Sequence, residues 1–198
     1  MKLRNYIEFE SKYRLDLKNH FKWKEIVSNI EGLKEFVYAE SDDIYYTKNN
    51  QDYEFIRYRF SNTTKEKRAE LTIKKKTNEN NNIKRFEKNL RVDYNSKDTV
   101  ESFVESLGFK KNFRIKKPGV HIYRFKDATL PLYTVIDEKE NIDHFIEIEI
   151  NEDLISQITE QEAWDIIKKY EDYLKPLGIS PQNRMKLSLF EIYRKEKI

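Results

Sequence analysis

The chain has 198 residues, of which 37% are charged and 14% aromatic, yet its formal net charge is only +3. That much Tyr and Phe can repay the entropy of folding, which excludes a disordered chain, and the near-balance of charge excludes a basic tail that binds polyanions in bulk. Cysteine is absent, which removes disulfides and thiolate metal sites. No apolar run approaches membrane length, so the expectation is a cytoplasmic protein with no membrane partner.

In chain order, the first element is "YIEFESKYRL", a strand candidate over 6–14 with Ile7, Phe9 and Tyr13 on one face and Glu8, Glu10 and Lys12 on the other. A helix is predicted from about Asp16 to Ile30, with Leu17, Phe21, Ile26 and Val27 near helical spacing and Gly32 past its end. Period-two strand candidates follow at 35–46, 53–60, 68–76 and 83–93, with "TNENNN" at 77–82 as a turn. A second helix is expected to open at Asp98, capped with Glu101 three residues on, and to stop at Gly108. Further strand candidates lie at 111–117, 120–126, 132–137 and 144–150. A third helix opens on a Thr159–Glu162 capping box and turns Trp164, Ile167, Tyr170 and Leu174 inward, and a short one follows Pro181 through Leu187, Phe190 and Ile192. No repeat and no Pro/Gly/Ser linker divides the chain, which reads as one domain over 1–198. Many strands joined by short polar turns imply an antiparallel meander or barrel, in the α+β class.

The charged faces of these strands segregate by sign. Arg57 and Arg59 share a face in "FIRYRF", Lys74 and Lys76 in "ELTIKKKT", and Arg85, Glu87 and Arg91 in "IKRFEKNLRV", while "HFIEIEI" aligns Glu147 and Glu149. Any one such strand is also what a half-wet antiparallel strand looks like. Taken together they are not, because like charges on neighbouring strands repel unless something of opposite sign sits between them. A barrel of about eight strands with these faces inward resolves the conflict and leaves room for a small ligand. Paired carboxylates such as Glu8/Glu10 and Glu147/Glu149 are hard oxygen donors suited to Mg²⁺ or Mn²⁺, and cations beside them suit phosphates. That combination belongs to phosphoryl-transfer chemistry. His20, His121 and His144 show no ligand spacing, and with only four glycines there is no Gly-rich phosphate cradle.

With these residues in place, the chain resembles the CYTH, or triphosphate tunnel metalloenzyme, superfamily. Glu8, Glu10 and Lys12 match its ExExK motif. The likeness continues in order through "DIYY", Arg57 and Arg59, "LTIK" with Lys74 and Lys76, Arg85 with Glu87, and "SLGF". It ends with "VIDEKENIDHFIEIE", through Asp137, Glu147 and Glu149, and "SLFEI", where Phe190 stands in for a tyrosine. The resemblance implies a closed antiparallel eight-stranded β-barrel with helices packed outside. It implies that Lys12, Arg57, Arg59, Lys74, Lys76, Arg85 and Lys117 grip phosphates, and that Glu8, Glu10, Glu147 and Glu149, with Asp137, hold one or two divalent metals. Lys12, Glu8 and Glu10 then stand at the reaction centre. One departure is Gly119, where the family has an arginine two residues after the lysine matched by Lys117; Arg114, Lys116 and Arg124 are the candidates to replace its charge.

The leading expectation is metal-dependent hydrolysis of a small-molecule linear triphosphate, whether tripolyphosphate, a nucleoside triphosphate or thiamine triphosphate. A class IV adenylate cyclase making cyclic AMP and diphosphate from ATP is the alternative. A third is a non-catalytic module for polyphosphate or 5′-triphosphate RNA. No duplex nucleic acid is expected as partner, and either a monomer or a homodimer fits.

Overall fold

A computed structural model of the protein describes residues 7–48, 54–76 and 84–194. Eight strands alternate with helices: β1 (Ile7–Leu15), α1 (Leu17–Ser28), β2 (Glu35–Thr47), β3 (Glu54–Thr63), β4 (Lys67–Lys76), β5 (Lys84–Val92), α2 (Lys97–Ser106), β6 (Lys110–Arg124), β7 (Ala128–Ile136) and β8 (Ile142–Ile150). Then come α3 (Glu152–Ile155), α4 (Glu160–Leu174) and, after two short 3-10 turns, α5 (Leu189–Tyr193). The expected turn at 77–82 lies outside the described residues.

The strands form one antiparallel ring in the order β1-β5-β4-β3-β2-β6-β7-β8, with β8 returning to β1. Among the described residues the β1–β5 seam runs through Ile7↔Phe86, Glu8↔Arg85 and Phe9↔Lys84. The curl of the sheet is therefore complete in topology. Closure leaves few strand edges to manage.

Hydrophobic alternation points outward, as the opening strand demands. Phe9, Tyr13 and Leu15 join Ile146, Ile148 and Ile150 of β8 in a core beneath Trp23 and Val27 of α1 and Ala163, Ile167, Tyr170 and Leu174 of α4. A second outer core lies under α2, where Val100 and Val104 meet Ile44, Tyr46, Ile56 and Tyr58. Both tryptophans pack: Trp23 is buried against His121 and Tyr123, and Trp164 sets its ring edge-on to Phe9. Helices α1 and α4 are capped at their start, and the cap of α4, Thr159 with Glu162, is the expected one. Asp16 accepts from the backbone N–H of Asn19 at 2.6 Å, and Thr159 and Glu162 make their capping box. The expected cap at Asp98 does not form, because α2 starts one residue earlier behind Ser96, which makes no side-chain cap bond.

The two strand candidates at 111–117 and 120–126 are one strand, β6. Pro118 and Gly119 look like a break, but they form a bulge: the register slips between Lys116 and Val120 against β7, and between Ala39 and Ser41 against β2. A bulge lets a strand pass through residues that an unbroken ladder rejects.

The last segment closes one end of the barrel. The backbone N–H of Met185 donates to the carbonyl of Lys12 at 2.8 Å. Arg184 forks onto the buried carboxylate of Glu171 at 2.6 and 2.7 Å, and Tyr13 donates to the same group at 2.5 Å. Beyond them Phe190 stacks on Phe55 with ring centroids 4.5 Å apart and joins Tyr45, Phe113 and Phe145 in a plug.

Candidate functional site

Inside the ring is a cavity of about 1040 Å³. Glu8, Glu10 and Lys12 face it from β1, Arg57 and Arg59 from β3, Lys74 from β4, Glu87 from β5, Lys117 from β6, and Glu147 and Glu149 from β8. Residues far apart in sequence thus converge because each strand sends its odd or its even positions inward.

The charges are arranged in linked pairs. Lys74 lies 2.6 Å from Glu8 and 2.6 Å from Glu87. Lys12 lies 2.9 Å from Glu147 and 3.4 Å from Glu10. Asp43, fully buried on β2, takes a two-pronged bond from Arg59 at 2.7 Å on each side and sits 3.1 Å from Lys117. Arg57 donates to Thr72 at 3.1 Å, and Thr72 to Asn89 at 2.7 Å, but the Nε of Arg57 is buried without a hydrogen-bond partner. A desolvated guanidinium N–H with nothing to bind is costly unless an anion completes it.

The titration of these groups shows which charges are balanced. Burial raises Asp43, but the nearby Arg59 and Lys117 outweigh it and hold the carboxyl well below the usual range. Glu87 is likewise held low by Lys74 and Arg57 against its burial. Lys117 goes the other way: burial, with the field of Arg59, brings it down to about 7 despite Asp43. Glu149 is pushed up to about 8 by burial and by the fields of Glu10, Glu87 and Glu147. Where β1 meets β8, Glu149 is therefore crowded by other carboxylates, while Glu10 and Glu147 share Lys12, and Asp43 and Glu87 have cations of their own.

This imbalance tests whether a divalent cation fits. Glu10 and Glu149 are direct cross-strand partners, and Glu147 lies two pairs further on, opposite Lys12. Among the described residues no group of three carboxylates or imidazoles forms a ready-made cage. Mg²⁺ does not need one, since it ordinarily takes one or two carboxylates and completes its shell with water and substrate phosphate oxygens. Hard oxygen donors crowded together around Glu149 fit that role.

Other expected residues fall elsewhere. Asp137 is not in the lumen; it sits in the β7–β8 hairpin, where its carboxylate accepts from the backbone N–H groups of Lys139 and Asn141 and from the Asn141 side chain at 2.8–2.9 Å. That turn occupies both of its oxygens. Lys76 and Arg85 lie on β4 and β5 as expected, paired in register, and their side chains are outside the described residues. At the bulge, a side chain on Gly119 would meet Tyr38 and His121 on the barrel's exterior at 3.7–3.9 Å. Position 119 is therefore not a lumen position. Of the candidate replacements, Arg114 pairs with Asp42 and Lys116 is exposed, while Arg124 lines the cavity mouth, 2.8 Å from Glu35.

Sequence reading missed Asp43 and Tyr133. Tyr133 donates to Glu147 at 2.5 Å, its ring lies 4.4 Å from the Lys117 ammonium, and burial with the Glu147 charge raises its hydroxyl far above the usual value. Asp43 carried a signal, as the inward-parity acid of "DIYY". Tyr133 in "LPLYTV" looks like any strand tyrosine.

The molecule is thus a charged tunnel within a single antiparallel barrel. No family model matches the chain, and no curated protein matches it. Solved structures do. The PH1819 protein from Pyrococcus horikoshii OT3 has a TM-score of 0.70 at 25% identity, covering 93% of this chain and 97% of that one. HpAC1 from Hippeastrum, named for adenylyl cyclase and showing a dominant triphosphatase activity, has a TM-score of 0.62 at 17% identity over 94% of each chain. The Mimivirus capping enzyme triphosphatase has a TM-score of 0.57 at 11% identity, covering 86% of this chain and 90% of that one. The fold is common to all of them, and its relatives include enzymes that handle triphosphates.

Proposed function

We propose that this protein is a triphosphate tunnel enzyme of the CYTH type, one domain over 1–198, hydrolysing a linear triphosphate with Mg²⁺ or Mn²⁺. The observation that carries the reading is the lumen itself: Arg57, Arg59, Lys74 and Lys117 line one cavity with a carboxylate set crowded at Glu149. A metal–triphosphate complex is complementary to both sets at once.

Arg57, Arg59, Lys74 and Lys117 bind the phosphate oxygens, with Lys76 and Arg85 assigned beside them, and their fixed positions stabilise charge that grows on the transferred group. Asp43 holds Arg59 and Lys117 in place without ligand. Glu10, Glu147 and Glu149 hold the cation, with Glu8 beside them. When bound it neutralises phosphate charge and makes water a better nucleophile. Lys12, between Glu10 and Glu147, contacts the phosphate or orients the attacking water. Asp137 is left out of the metal set.

Phosphate release from tripolyphosphate and from ATP, with Mg²⁺ and again with Mn²⁺, tests this. Wild-type protein releases phosphate, and Glu149→Gln lowers turnover at least a hundredfold while melting no lower than wild type, because it removes a repelled carboxylate. Full activity in Glu149→Gln contradicts the metal assignment. The cyclase reading is favoured by the likeness to a Vibrio parahaemolyticus protein described as an adenylate cyclase, whereas HpAC1, of the same fold, shows a dominant triphosphatase activity. It predicts cyclic AMP and diphosphate from ATP on chromatography, in place of ADP and phosphate. Tight binding with no product of either kind marks a polyphosphate or 5′-triphosphate RNA binding module.

A further inference from the structure

The inner wall is charged on most strands but not on all. Where β6 and β7 face the lumen beyond Lys117, the side chains are Val120, Ile122 and Pro131. Register pairs Val120 with Tyr133, Ile122 with Pro131 and Arg124 with Thr129. This aliphatic strip therefore lies between the Lys117–Tyr133 layer and the rim at Arg124, with Ala39 beside Val120 on β2. Ile122 and Pro131 are only half-buried, so they meet the open space of the lumen.

The bulge is what builds the strip. Strict alternation from Lys117 would turn 119, 121 and 123 inward. The extra residue reverses the parity, so Val120 and Ile122 face in, while His121 and Tyr123 pack outside against Trp23. An aliphatic surface in a wet, charged tunnel is unfavourable while it faces water, and a bare phosphate chain makes no use of it. The cavity, at about 1040 Å³, is at the upper end of the roughly 300–1,000 Å³ typical of sites that enclose organic ligands.

We propose that this strip binds the organic part of the substrate, so that the preferred substrate is a nucleoside triphosphate and not inorganic tripolyphosphate. The proposal rests on the triphosphatase reading above. The phosphates lie against Arg57, Arg59 and Lys117, and the apolar face of the nucleoside lies towards the rim, against Ile122 and Pro131.

The test compares kcat/KM for ATP with that for tripolyphosphate, in wild type and in Ile122→Ser, with calorimetric binding of both compounds measured alongside. The expected result is a wild-type preference for ATP and a fall of about tenfold in the ATP-to-tripolyphosphate ratio in the variant, the scale of one lost hydrophobic contact in a specificity pocket. Should Ile122→Ser fail to fold, Ile122→Thr, closer in volume, carries the same expectation. Equal or greater kcat/KM for tripolyphosphate in wild type, or a ratio unchanged by the substitution, overturns the strip and leaves the triphosphatase reading standing. If neither compound binds, that reading fails and takes the strip with it.

Discussion

Asp43 has the most to lose from a single substitution. It is fully buried between Arg59 and Lys117, so Asp43→Ala leaves two desolvated cations facing each other. Removing one partner of a buried pair typically costs about 3–5 kcal/mol. We expect a large drop in melting temperature, partly restored by tripolyphosphate, whose oxygens replace the lost carboxylate; an unchanged melting temperature would contradict the pairing. Lys117 supplies a pH signature. Its folded pKa, about 7, lies below the ordinary lysine value of 10.5, so between these the unfolded chain holds the extra proton. Stability from this group therefore rises as pH climbs from about 7 to about 10, and below about 7 the protein bears the full cost of a buried ammonium. Denaturant titrations across that range should show a positive slope that is shallower in Lys117→Met; identical slopes would refute it.

Elements were legible wherever periodicity was clean. The alternation in "YIEFESKYRL" and "HFIEIEI" correctly placed Glu8, Glu10, Lys12, Glu147 and Glu149 in the lumen, because period two is all that a regular strand needs to choose its faces. It failed at β6, where a bulge resets parity and no composition rule says whether Pro-Gly ends a strand or bends it. The expectation for Asp137 came from the family resemblance and not from periodicity, and the residue sits in the β7–β8 turn; an acid that caps its own turn looks the same in sequence as one that binds metal. Which carboxylate pairs with which cation, Glu8 with Lys74 or Glu147 with Lys12, depends on register across the ring and is not written in any one strand. The bulge gives a direct test. Gly119→Arg places its side chain among Tyr38 and His121 outside the barrel, so affinity for tripolyphosphate should stay within about twofold of wild type, where a lumen arginine would add a charge-assisted bond worth about 1.5–3 kcal/mol. A tenfold gain would put position 119 in the tunnel after all.

At the scale of the whole molecule, the fold inverts the usual economy of a globular domain. The aliphatic cores lie outside the sheet, under α1, α4 and α2, and the polar groups line the centre. One end is stopped by Phe190 and its aromatic neighbours, so the lumen is a blind, charged passage. Among the described residues, Lys12, Arg59, Lys74 and Lys117 are each held by a carboxylate around the open space of the lumen, while Arg57 bonds to Thr72 and keeps a buried Nε without a partner. The central claim is that a triphosphate fills this space. Calorimetric titration of tripolyphosphate in the presence of Mg²⁺ tests it most directly. The account predicts saturable one-to-one binding that weakens at least tenfold in Arg57→Ala; absence of binding, or equal affinity in the two proteins, would contradict it.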